Sequence, residues 1–183
     1  MIKKLKQSNR GFTLMEIIVS LALFTAIVLS AAQIFKMVIE SQRNAIIAQN
    51  MQGGTRYAFD TMSKEIRMAQ KDEIGTCTGE GNVNRVYAVS EDGQELYFKN
   101  YHGECVAYYL DNANETLMIE RHGYVAKTLP DQIKVKALQF SIIDDVDNVQ
   151  SLVIANLEVE AEGKETEKQD MIIQTAVSSR YYE

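Results

Sequence analysis

Gly11-Phe-Thr-Leu-Met-Glu-Ile-Ile-Val-Ser-Leu-Ala-Leu-Phe-Thr-Ala-Ile-Val-Leu-Ser-Ala-Ala-Gln-Ile-Phe35 is the stretch on which the fold turns. From residue 17 to residue 35 it carries no formal charge, and only Ser20, Thr25, Ser30 and Gln33 are polar. Those roughly 19 residues make about 28 Å of α-helix, close to the thickness of a hydrocarbon core. The run is therefore a membrane segment or a secretion signal. Lys3, Lys4, Lys6 and Arg10 precede it with no acid among them. The positive-inside rule then leaves residues 1–11 in the cytoplasm and sends the remainder outward. Glu16 stands at the head of the apolar helix, where a carboxylate is expensive. It reads either as a functional group with a partner or as a first-turn acid favoured by the helix macrodipole.

Gly11-Phe12-Thr13-Leu14-Met15-Glu16, behind a basic leader and ahead of an apolar helix, resembles the class III signal of type IV pilins and type II secretion pseudopilins. The resemblance implies a cut by prepilin peptidase between Gly11 and Phe12, N-methylation of Phe12, and a role for Glu16 in assembly. It also implies partners: other pilin or pseudopilin subunits along helix 12–72, an assembly platform protein and an assembly ATPase. The chain would sit as a single-pass protein of the bacterial inner membrane with its C-terminal domain outside the cytoplasm. Physical chemistry agrees. Glycine lets a peptidase approach the backbone closely, and a new ammonium on Phe12 near the bilayer needs a counter-charge, which Glu16 of a staggered neighbour would supply. An ordinary signal peptide competes with this reading, since Ser30-Ala31-Ala32 would suit a cut before Gln33; Glu16 and the length of the run weigh against it.

The chain has 183 residues and a net charge of −6, enough for one domain plus an anchor. Because the leader is purely basic, the exported part is more acidic than the whole, which argues against general nucleic-acid binding. Residues 36–72 continue the helix as an amphipathic half, with Phe35, Val38, Ile39, Gln42, Ala45, Ile46 and Gln49 at helical spacing. The pattern resumes after Gly53-Gly54 as Ala58, Phe59, Met62, Ile66 and Ala69, a stripe expected to pack on a following sheet. Gly53-Gly54 is either a break between two helices or, as preferred here, a bend or weak point in one long helix. The stretch 56–69 resembles the end of the long helix in J-type minor pseudopilins and W-type minor pilins, and the ending Ile173-Gln-Thr-Ala-Val-Ser-Ser-Arg180 resembles theirs as well.

Beyond the glycine-rich loop 73–82 the pattern changes to short β-branched and aromatic runs at 85–89, 95–99, 104–110, 116–121, 133–143, 149–162 and 171–178. Within 149–162, Leu152 and Ile154 fall out of phase with Leu157 and Val159, so a one-residue bulge is expected near Ala155. The fold class is α+β: a long N-terminal helix, with a transmembrane half at 12–35 and an amphipathic half at 36–72, packed on an antiparallel, pilin-like sheet domain over 73–183.

Cys77 and Cys105 are the only cysteines. Export across an inner membrane makes a disulfide the simplest reading of the pair, tying the loop after the helix to the third strand; two free thiols are the rival. No zinc motif is present, and His102 and His122 sit beside glycines in predicted turns with no nucleophile motif around them. Asp144, Asp145 and Asp147 place oxygen ligands at the alternate spacing of calcium loops, and some pseudopilins bind calcium in a loop. The run lacks an EF-hand's central glycine and bidentate glutamate, so an exposed hairpin turn is the default. Residues 162–168, alternating in sign, read as another exposed loop. No cofactor and no catalysis are expected. The function expected is that of a structural filament subunit at or near the tip. The alternatives are a tip-located binding module for DNA, a surface or a secreted substrate, and an anchored domain that never polymerises.

Overall fold

The computed structural model describes residues 11–143, 151–161 and 169–180. Two compact units divide between Asn44 and Ala45. One helix, α1 (Leu14–Arg67), contributes to both. In the first unit every described residue from 11 to 43 is exposed. The hydroxyls of this apolar run are turned back on the helix: Ser20 Oγ donates to the Glu16 carbonyl at 2.6 Å, Thr25 Oγ1 to Ala22 at 2.9 Å, and Ser30 Oγ to Ala26 at 2.9 Å.

In the second unit α1 buries Met51, Thr55, Ala58, Phe59, Met62 and Ile66, a single stripe at three- and four-residue spacing. The predicted packing stripe is the observed one. The helix runs through Gly53-Gly54 without interruption, so the two-helix reading is excluded. It ends at Arg67 rather than at the expected 72. The cause is tertiary. The Ile66 carbonyl accepts from the Tyr87 hydroxyl at 2.6 Å, and the Arg67 carbonyl accepts from the Arg180 N–H at 3.0 Å. The backbone then joins the sheet, with Gln70 N–H donating to Lys99 O at 2.8 Å and Asp72 N–H to Arg85 O at 3.0 Å. Helical periodicity through Ala69 is overridden by these outside partners, which satisfy carbonyls that a helix end otherwise leaves open.

Five strands form an antiparallel meander in chain order: β1 (Tyr87–Val89), β2 (Glu95–Lys99), β3 (Cys105–Asp111), β4 (Thr116–Arg121) and β5 (Tyr124–Lys127). A second antiparallel sheet has the order β6 (Ile133–Ile143), β7 (Leu152–Ala161), β8 (Asp170–Ser178). The two sheets are laced by Phe140 N–H to Gly93 O and Val135 N–H to Glu115 O, both 2.7 Å. Gly93 is required there: its φ is +74°, and a Cβ would run into the Gln139 carboxamide and the Phe140 carbonyl. Leu96, Phe98, Val106 and Tyr108 of the first sheet share one core with Val135, Phe140, Val153 and Leu157 of the second and with Met62 and Ile66 of α1. Glu65 adds a polar clamp, accepting from the Tyr108 hydroxyl at 2.8 Å and pairing with Arg121.

Two strand-level expectations need correction. β5 was not among the predicted runs; its residues are exposed on both faces, so it shows no alternation. The bulge near Ala155 does not exist. β7 alternates regularly, burying Val153, Ala155, Leu157, Val159 and Ala161, and the register shift lies in β6 between Val135 and Ala137. Leu152 and Ile154 lie on the opposite, half-buried face.

Candidate functional site at the amino terminus

Thr13 opens the helix. Its carbonyl accepts from the N–H groups of Glu16 at 3.1 Å and Ile17 at 3.2 Å, and its Oγ1 accepts from Glu16 N–H at 3.3 Å. This is the N-cap half of a Thr-x-x-Glu capping box, a signal legible in Thr13-Leu-Met-Glu16 that motif and hydropathy reading passed over. The cap fixes where the helix starts and sets Glu16 in its first turn, on an exposed surface. At that position the carboxylate faces the positive end of the helix dipole. Among the described residues nothing accounts for glycine at residue 11: a Cβ there would meet none of their atoms within 4 Å. Phe12 is 78% exposed. The structure therefore presents Gly11, Phe12 and Glu16 together at the start of an exposed apolar helix, where packing among the described residues explains neither of the first two. By length and composition α1 can cross a membrane.

The basic leader residues Lys3, Lys4, Lys6 and Arg10 lie outside the described residues. So do the calcium candidates Asp144, Asp145 and Asp147, and the charged run 162–168. Among the described residues no group of three or more His, Cys, Asp or Glu side chains gathers to hold a metal. His102 and His122 are exposed in turns.

At the far end of α1, Cys77 and Cys105 are joined by a disulfide, with Cα atoms 5.0 Å apart. It ties the loop after the helix to the first residue of β3. Beside it, Asp72 is 0% exposed. One carboxylate oxygen accepts from Cys77 N–H at 2.6 Å, Thr78 N–H at 3.0 Å and Thr78 Oγ1 at 3.2 Å. Burial, the largest single influence, pushes this carboxyl up; the hydrogen bonds from Cys77, Thr78 and Thr76 together outweigh it and hold the group below the ordinary 3.8. Sequence reading missed Asp72, because a lone Asp after a helix carries no pattern.

Residues 6–32 match the family described as the prokaryotic N-terminal methylation motif. No curated protein and no solved structure matches the chain. The matched segment contains Gly11, Phe12 and Glu16, and it supports a pilin-like protein that is processed by a prepilin peptidase, anchored in a membrane and assembled with other subunits.

Proposed function

We propose that the chain is a minor pilin or pseudopilin of the J/W type, cut between Gly11 and Phe12, methylated on Phe12, and placed at or near the tip of a short filament built from the inner membrane. The observation that carries this reading is the methylation-motif match over 6–32, coupled to a capped helix whose residues 11–43 are all exposed. Such a surface needs lipid before assembly and protein after it. Glu16 would neutralise the terminal ammonium of a neighbouring subunit and help set its register, a role suited to specificity more than to stability. The globular unit contacts other minor subunits or cargo, and the chain performs no turnover of its own. The J/W assignment draws support from the sequences of 56–69 and 173–180.

Intact mass and amino-terminal sequencing of protein extracted from its own host's membranes should give N-methylated Phe12. A terminus at Gln33 would make the chain an exported soluble protein and remove the role given to Glu16. With partner subunits present, Glu16→Ala is expected to lower incorporation into sedimentable filaments by more than about tenfold, as loss of one member of a desolvated charge pair does. Normal incorporation of that variant would refute the assembly role.

A further inference from the structure

Between α1 and β1 the hydrophobic core passes from Ala69 directly to Val86. Of residues 73–84 only Gly75 and Thr78 are buried, and both aliphatic side chains face outward, Ile74 76% exposed and Val83 43%. This loop has no apolar anchor; what joins it to the body is covalent or polar. Cys77 is bonded to Cys105. The Cys77 N–H, the Thr78 N–H and Thr78 Oγ1 converge on Asp72 Oδ2, and the Asn84 N–H donates to the Asp72 carbonyl at 2.8 Å. The other carboxylate oxygen, Oδ1, is buried and has no hydrogen-bond partner among the described residues. Burying an oxygen without a donor is costly, so the burial of Asp72 is offset at Oδ2, by the loop itself.

Two fastenings thus hold one loop, and each places the parts of the other. The disulfide keeps the Cys77 and Thr78 amides over Asp72, and the carboxylate keeps Cys77 within bonding reach of Cys105, their Cα atoms 5.0 Å apart. We infer that Asp72 is a positioning residue for the Cys77–Cys105 bond, and that the two form a redox-sensitive latch whose reduction by a dithiol releases loop 73–84. By linkage, each fastening strengthens the other by the same factor. Cys105 is exposed and Cys77 half-buried, so a thiolate of the dithiol attacks Cys105 Sγ. The S–S bond breaks, and Cys77 leaves as a thiolate and takes up a proton. The second thiol of the reductant then displaces Cys105, which is protonated in turn; the reductant departs as a cyclic disulfide, having given up two electrons. The charge on the departing Cys77 forms in the residue whose amide already donates to Asp72, and like charge at that range opposes the step.

The test equilibrates the oxidised full-length chain, in detergent, with mixtures of reduced and oxidised dithiothreitol, then traps free thiols with a maleimide and counts them by mass. Asp72→Asn should raise the equilibrium constant for reduction at least about tenfold. Thr78→Val deletes the hydroxyl and keeps the amide; it should raise the constant about threefold, and it stands in where Asp72→Asn does not fold. In concentrated guanidinium, where no loop is held, the variants should match the parent. Gly54→Ala, which strains α1 against Ile133 instead, should be reduced as the parent is. After reduction of the parent, a glutamate-specific protease should cut first after Glu73 or Glu80, at least about tenfold faster than in the oxidised chain. Constants for Asp72→Asn and Thr78→Val within about twofold of the parent's would overturn the latch. So would an equal shift in Gly54→Ala, or a first cut outside 73–84.

Discussion

A methyl group added at Gly54 would lie 2.9 Å from Ile133 Cδ1 and 3.1 Å from Pro130 Cδ, whereas one added at Gly53 would meet nothing among the described residues within 4 Å. Adjacent glycines in one helix should therefore respond in opposite directions. Gly54→Ala forces the segment 130–133 to shift and is expected to destabilise by about 1–3 kcal/mol. Gly53→Ala removes a helix-propensity penalty and should stabilise by up to about 1 kcal/mol. Denaturant unfolding of the two full-length variants in detergent checks both signs. Asp72 gives a pH prediction. Its folded pKa is depressed, so its contribution is present above the ordinary value of 3.8 and is lost as pH falls through the lower folded value. Asp72→Asn should cost about 1–3 kcal/mol at neutral pH and flatten the loss of stability below 3.8 that the parent shows. A variant with the parent's acid sensitivity would place that sensitivity elsewhere.

At the level of elements, the end of α1 depends on two distant donors. Burial, partly offset by a hydrogen bond with Ser179, pushes the Tyr87 phenol up to about 12 from 10.0. Its contribution to stability is complete below 10.0 and is lost as pH rises from there toward about 12. Tyr87→Phe should cost about 1 kcal/mol and remove that part of the alkaline loss, read from thermal unfolding across the same range. These donors also explain which boundaries were legible in the sequence. The stripe Ala58, Phe59, Met62, Ile66 and the strands bounded by Gly93 and Gly103 could be read because periodicity and turn chemistry are local. The stop at Arg67 could not, because its causes sit at Tyr87 and Arg180. β5 was invisible because a four-residue strand exposed on both faces has no period. In β7, Ile154 is larger than Ala155, and reading bulk as burial set the wrong phase; β7 buries the alanine. At the amino terminus Gly11, Phe12 and Glu16 could be singled out because they stand in one contiguous motif, and the match over residues 6–32 covers them, whereas Asp72 gains its role only when Cys77 and Thr78 fold over it.

For the whole molecule, the disulfide closes a loop with a sequence separation of 28, which in the loop-entropy picture contributes about 2–4 kcal/mol. Replacing both cysteines by serine should lower unfolding stability by that amount and leave the amino-terminal processing untouched, since Gly11 and Phe12 belong to the other compact unit. Loss of processing in that variant would show that cleavage waits on the folded globular unit. The hydrogen bond from Arg180 N–H to the Arg67 carbonyl has a consequence in time. Residue 67 leaves the ribosome long before residue 180 exists, so the helix terminus stays open for most of synthesis and is locked only when the last strand arrives. A chain clipped before residue 180 would lack this bond and hold a frayed helix terminus, and proteases would find their first foothold at that point.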